Sequence, residues 1–251
     1  MVIAKYSAPQ LRPAIMVINI DDNIYSSWFA GIYEKRGQNR SIGTSALNVV
    51  RVLEYFSRDD SIKAFILEIN ATEGQGTGQE EIARQVKRMN KPVVAVIDGK
   101  ALSAGYYVAA SANKIYATKS SQIGNIANTF VYVGRVRNFT AQVCNISAAS
   151  AMKQNTCPGF SNLEFNNLHQ DVVITHTILS MDIAGMRHMP ASVVQQLSNV
   201  TLSSEQAKEL GLVDEIGGMK DAIQWIENEL SERLWIIYLR DMVSQEHNEK
   251  S

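Results

Sequence analysis

Cysteine, charge of one sign and long apolar runs are all scarce in this sequence. The two cysteines, Cys144 and Cys157, form no CxxC pair and have no histidine at ligand spacing. Neither a disulfide-stapled scaffold nor a zinc site is indicated, and two free thiols fit a reducing compartment. The 24 Lys and Arg residues are balanced by 25 Asp and Glu, for a formal net charge of -1. With the signs well mixed, no field exists to recruit nucleic acid or anionic lipid, and nucleic-acid binding is not expected. No apolar stretch approaches the roughly 18 residues that a spanning helix needs. Pro9 and Pro13 interrupt the N-terminal segment before a signal-like core develops. As it stands the chain reads as soluble and cytoplasmic; membrane association is expected only if an N-terminal anchor precedes Met1.

What is present is an alternation of short β-rich runs with helical patterns, the signature of a parallel sheet flanked by helices. The 251 residues suffice for one large core. We expect one domain over residues 1–227, followed by a C-terminal helix and polar tail over 228–251. Strands are predicted at 14–20, 64–70, 92–97 and 114–118. Apolar positions at 46, 49, 50, 53 and 56, and at 82, 86 and 89, predict amphipathic helices over 45–56 and 80–89. The small-residue run ALSAGYYVAASAN, 101–113, predicts a helix that lies close to the sheet. A further helix is expected over 169–186. SSEQAKELGLVDEIGG, 203–218, reads as a capped helix, a glycine stop, a short strand and a turn. No internal repeat or low-complexity segment interrupts this order.

Ser103 is the chemically suggestive residue. It follows the apolar run PVVAVI and would occupy the first turn of a helix after a parallel strand, where ligands and catalytic groups collect in open α/β sheets. A serine becomes nucleophilic only with a base for its proton and donors for the oxyanion. The first of the four histidines, His169, comes long after it. His169 and His176 share one helical face and read as surface or packing residues. The other common base is a lysine kept neutral by burial, for which Lys100, Lys114, Lys119 and Lys153 are candidates. Lys153 stands in SAASAMKQNT among small and apolar neighbours. For the oxyanion, the turn INATEGQGTGQEEI, 69–82, carries Gly74, Gly76 and Gly78, which free backbone amides to point into a site. Neither a GxGxxG nor a Walker lysine is present, so a phosphate cradle has no support.

These segments together resemble the signal peptide peptidase A (SppA) family of serine peptidases, within the ClpP/crotonase superfamily, from about residue 14 to about 227. FILEINATEGQGTGQEEI is similar to the family's strand, N-S-P-G-G-S turn and helix. KPVVAVIDGKALSAGYYVAASANKIYAT is similar to its nucleophile segment, IGNIA at 123–127 to its T-G-S-I-G segment, and AGMRHMP to its x-G-R-x-M-P turn. SEQAKELGLVDEIG, 204–217, is similar to its C-terminal x-x-A-x-x-L-G-L-V-D-x-L-G pattern, the most specific of these matches.

The resemblance implies a ClpP/crotonase-like α/β fold of repeated β-β-α units, with a parallel sheet flanked by helices and a C-terminal helical extension. It implies a Ser-Lys dyad in which Ser103 attacks a peptide carbonyl and Lys153 takes its proton. The backbone amides of Gly74 and Ala104 would form the oxyanion hole, Asn125 would orient the lysine, and Glu73, Gln75 and Leu102 would line the substrate. No metal and no cofactor are implied. Peptides are the expected partners, extended and rich in small or apolar residues, such as remnant signal peptides. Family members that assemble into rings imply a homo-oligomer, with the cluster Trp235, Ile236, Ile237, Tyr238 and Leu239 as one packing surface. ClpP-type enzymes place a histidine about 25 residues after the serine, where this chain has Asn128. Three departures stand out: Thr72 and Glu73 replace a proline and a glycine of the oxyanion turn, Asn125 replaces a serine, and Ala104 replaces the glycine after the nucleophile. They leave open a weakened relative acting as an oligomeric scaffold. A crotonase-type acyl-CoA enzyme is the remaining alternative, with Asp98 as its one nearby acid.

Overall fold

A computed structural model of the chain describes residues 12–26, 43–75, 77–126, 129–135, 141–147 and 161–240, with 75, 129–135 and 141–147 described through their backbone. The described chain forms two compact units, one of residues 1–123 and 202–251 and one of residues 124–201. In chain order the first unit contains β1 (Ala14–Tyr25), β2 (Thr44–Ser45), α1 (Ala46–Ser57), β3 (Ile62–Gln75), α2 (Gly78–Lys87), β4 (Val93–Leu102), α3 (Ala104–Ala110) and β5 (Lys114–Ala117). The chain passes through β6 (Gln122–Gly124) into the second unit, with β7 (Thr129–Arg135), β8 (Ala141–Ser147), α4 (Asn162–Arg187) and α5 (Ala191–Gln196). It returns through β9 (Thr201–Ser203) to α6 (Ser204–Glu209), β10 (Glu215–Ile216), α7 (Met219–Leu230) and β11 (Trp235–Tyr238).

The first unit is built on a sheet of order β10-β5-β4-β3-β1-β11, whose strand pairs are parallel. β1 shows why its residues choose this place: Ala14, Ile15, Met16, Val17 and Ile18 are buried in succession, as a strand covered on both faces requires. The predicted strands fall on β1, β3, β4 and β5, and the predicted helices on α1 and α2. α1 buries Ala46, Val49, Val52, Leu53 and Phe56, so Val52 rather than Val50 joins its core face. α3 is buried along its whole length. Its composition of Ala and Gly allows that approach: a Cβ on Gly105 would lie 2.4 Å from the carbonyl oxygen of Ala71 on β3.

Two expectations are corrected here. Residues 235–238 form a strand, not part of a C-terminal helix, and Ala14 pairs with Trp235 in parallel register. The run WIIY is β-branched and aromatic, which suits a pleated edge, and α7 ends at Leu230 with Ser231 in the left-handed region (φ 52°). The helix expected from residue 101 starts instead at Ala104, because Ala101 and Leu102 still belong to β4.

In the second unit β7 and β8 pair antiparallel, Thr129 opposite Ser147. α4 begins seven residues before the predicted start. A capping box accounts for the difference: the Glu164 N–H donates to Ser161 Oγ at 3.3 Å, and Glu164 Oε2 accepts the Ser161 N–H at 2.8 Å. Its inner stripe is Phe165, His169, Val172, His176, Ser180 and Ile183, so the two histidines are packing residues. Among the described residues no helix is long and apolar enough to cross a membrane.

Candidate active site

Ser103 sits where β4 turns into α3, as the N-cap of that helix and not in its first turn. Its backbone, at φ 49° and ψ -113°, lies where a side chain is strained and glycine is favoured, which is incompatible with the helical position first expected. The Ser103 carbonyl accepts the N–H of Tyr107 at 3.0 Å and so starts the helix. A sharp, strained strand-to-helix turn that carries a half-buried serine is the way a fold lifts a nucleophile's hydroxyl clear of its sheet.

The turn is backed by the end of β3. Gly74 and Ala104, both expected to donate to an oxyanion, are packed together: a Cβ on Gly74 would lie 2.6 Å from the Cβ of Ala104 and 2.9 Å from Oε1 of Gln79. Gly78 is equally confined, since its Cβ would lie 2.7 Å from the carbonyl carbon of Tyr25 on β1. Leu102 is half-buried beside the serine, and Glu73 is exposed. The carboxylate that replaces a family glycine is therefore solvated instead of buried in the turn. The side chain of Gln75 and all of Gly76 lie outside the described residues.

α3 is locked from behind by the C-terminal motif. Tyr106, fully buried, donates its hydroxyl hydrogen to the carbonyl of Leu212 at 2.9 Å. Asp214 Oδ2 accepts the Ile115 N–H of β5 at 2.7 Å, and Gly211, at φ 77°, ends α6. The residues of LGLVD thus tie the helix that follows Ser103 to the edge of the sheet, a role that local sequence patterns cannot express.

Of the four lysines considered as bases, Lys100 and Lys119 are exposed, and Lys114 lies 3.9 Å from Glu215. Lys153 lies outside the described residues, as does Asn128. Asn125, in the second unit, has φ 45° and donates its N–H to the Val200 carbonyl at 2.6 Å. Asp98, the acid available to an acyl-CoA enzyme, is exposed and accepts from Thr118 Oγ1 at 3.3 Å. A cavity of about 250 Å³ on β1, lined among others by Asn19, Asp21, Thr44 and Asn48, includes none of the residues around Ser103. Among the described residues no group of three or more His, Cys, Asp or Glu side chains is gathered as for a metal ion.

Residues 85–232, which carry the turn at Ser103 and the LGLVD segment, match the profile of peptidase family S49. The chain belongs to peptidase family S49. A protein of Methanocaldococcus jannaschii named as a candidate protease is 28% identical over 186 residues, which are 71% of this chain and 60% of the relative. A protein of Enterococcus faecium named as a candidate signal peptide peptidase SppA is 27% identical over 191 residues, 72% of this chain and 55% of the relative. The S49 chain thus spans between half and two thirds of the length of these relatives.

Two solved structures show the fold of this S49 chain. The 1510-N membrane-bound stomatin-specific protease, as a serine-to-alanine mutant, superposes with a TM-score of 0.60 at 12% identity, covering 91% of this chain and 98% of that one. A ClpP1 mutant from Listeria monocytogenes gives 0.53 at 16% identity, covering 82% and 92%. The fold is accordingly the ClpP-like α/β arrangement that the resemblance implied. The residues missed in sequence lie around the bulge before Ser103: Asn70, Thr118 and Ser121. The one local signal was Gly99 after Asp98, a turn-forming pair just past the predicted strand at 92–97.

Proposed function

We propose that this S49 member is a serine endopeptidase working through a Ser-Lys dyad, with Ser103 as nucleophile and Lys153 as base. The observation that carries the reading is the backbone of Ser103, held at φ 49° at a strand-to-helix turn whose flanking residue, Ala104, packs against Gly74. Strain of that kind costs about 1–3 kcal/mol and persists where the surroundings enforce it, commonly at functional sites.

In this mechanism Ser103 Oγ bonds to the carbonyl carbon of the scissile peptide as its proton passes to neutral Lys153 Nζ. The small and apolar residues preceding Lys153 favour the neutral amine, because desolvation disfavours an ammonium. The amides of Gly74 and Ala104 accommodate the oxyanion, and Asn125 orients the lysine through its side-chain oxygen. Collapse breaks the C–N bond, with the lysine returning the proton to the leaving amine. Water, deprotonated by the same lysine, then bonds to the acyl carbon; the bond to Ser103 Oγ breaks, and the lysine returns the proton to that oxygen. Glu73, Gln75 and Leu102 border the substrate, an extended peptide of small and apolar residues such as a remnant signal peptide.

A quenched-fluorescence peptide of alanine and leucine tests this reading. Cleavage is expected from the wild type and from neither Ser103→Ala nor Lys153→Ala, and a charged peptide of the same length is expected to be cut far more slowly. A folded wild type that cuts neither peptide contradicts the proposal. Homo-oligomer formation belongs to it as well. Exposed Leu163, Ile174, Ile178 and Met181 on α4, and Trp235 on β11, are apolar surface available for it. Sedimentation as a monomer at micromolar concentration contradicts that part.

A further inference from the structure

The ladder between β3 and β4 is interrupted just before the nucleophile. Ile69 pairs with Ile97, and the next paired residues are Ala71 and Ala101. Three residues of β4, Asp98, Gly99 and Lys100, therefore stand opposite the single residue Asn70. The strand carries two extra residues, which at about 3.3 Å per residue shorten its reach along the sheet by roughly 7 Å. If β4 kept the unbroken register of Ile69 and Ile97 instead, Ser103 would stand two positions further along β3, beyond Gly74 instead of beside it.

The bulge is held by a small set of polar contacts. Asn70 Oδ1 accepts the N–H of Lys100 at 3.1 Å, and the same oxygen lies 2.7 Å from where a Cβ of Gly99 would be. Gly99, at φ 114°, is the residue that lets the backbone fold over this side chain. On the other side Ser121 Oγ accepts the Gly99 N–H at 3.3 Å and donates to the Ile97 carbonyl at 2.9 Å. Thr118 Oγ1 donates to Asp98 Oδ1 at 3.3 Å. Each residue of the bulge is thus held by one side chain from a neighbouring segment.

We infer that Asn70 is a positioning residue: through Lys100 and Gly99 it holds the bulge that sets Ser103 alongside Gly74, a role that rests on the peptidase reading above. It touches no reacting atom. Its effect falls on kcat, because displacing a nucleophile by an ångström can cost about a hundredfold while ground-state substrate contacts are kept.

The test compares Asn70→Ala, which removes the acceptor, with Asn70→Asp, which keeps an oxygen in its place, in the full chain. Peptide cleavage, thermal stability and amide hydrogen exchange at residues 99–101 are measured on each. Because Asn70 is exposed and Ser121 still holds Gly99, a fall in kcat of about tenfold is expected for Asn70→Ala, with KM within about twofold. Faster exchange at Lys100 and an unchanged melting temperature accompany it. Asn70→Asp is expected to restore both kcat and protection. A folded Asn70→Ala with wild-type kcat, or with wild-type exchange at Lys100, overturns the inference. So does a loss in Asn70→Ala that Asn70→Asp does not restore. An inactive wild type removes the peptidase reading and the positioning role with it. Exchange at Lys100 then still shows whether Asn70 holds the bulge, so the two failures are told apart.

Discussion

Gly74 and Ala104 are in such close contact that a methyl group on the glycine would come within 2.6 Å of the alanine's own. The end of β3 and the start of α3 are thereby fixed against each other on one side of Ser103. Gly74→Ala is expected to push Ala104, and with it the turn at Ser103, out of place. The neighbours that must move are a methyl group and the end of the Gln79 side chain, so the protein adjusts at a cost of about 1–2 kcal/mol. Peptide cleavage should fall by about a hundredfold, and thermal unfolding with parallel kinetics checks this.

Gly105→Ala makes the complementary case. The obstacle there is backbone, the Ala71 carbonyl oxygen at 2.4 Å, which cannot swing aside. The expected result is a loss of about 3 kcal/mol or more, read as a lower denaturation midpoint. A variant as stable as the wild type would show that α3 is not seated on β3 as described.

The strain at Ser103 separates stability from function. Replacement by glycine removes the side chain that the left-handed backbone disfavours, and replacement by alanine keeps a Cβ there. Ser103→Gly is expected to be more stable than Ser103→Ala by about 1 kcal/mol, although both lose the hydroxyl. Equal midpoints in urea would contradict the backbone geometry on which the proposed function rests.

His176 supplies a pH dependence. Burial holds its imidazole below the ordinary value of 6.5, only partly offset by a backbone contact at Gln195, and its Nε2 lies 3.2 Å from Ser198 Oγ. The unfolded state therefore takes the proton first as pH falls. The stabilisation is complete above about pH 6.5 and declines below it, by at most about 1.4 kcal/mol per pH unit for this one proton. Hydrogen exchange in α4, corrected for intrinsic rates, should accelerate between pH 7 and 5, and His176→Gln should flatten the trend.

The architecture was readable because parallel strands buried on both faces leave continuous apolar runs, as in AIMVINI and PVVAVI, and because the helices between them keep a 3.6-residue period. α4 was read too short because Asn162, Glu164, Asn166 and Asn167 make its start mostly polar, and Phe165 alone continues the buried stripe there. The Ser161 and Glu164 pair that starts it is a signal of capping, not of periodicity. WIIY was misread because four apolar residues have no period, and only the free edge of β1 decides in favour of a strand. At the site, Ser103, Gly74 and Ala104 were legible as residue types in their turns, and the structure adds that Gly74 and Ala104 touch. The bulge at 98–100 was not legible. It depends on the register between β3 and β4 and on an Asn70 thirty residues away from Lys100, neither of which has a local pattern.

Intact-mass labelling with a fluorophosphonate between pH 6 and 10 tests the central claim most directly. The account predicts a single adduct on the wild type, formed faster as pH rises and the lysine loses its proton, absent in Ser103→Ala and strongly slowed in Lys153→Ala. A folded wild type that takes up no label, or a Ser103→Ala variant that labels as the wild type does, would contradict it.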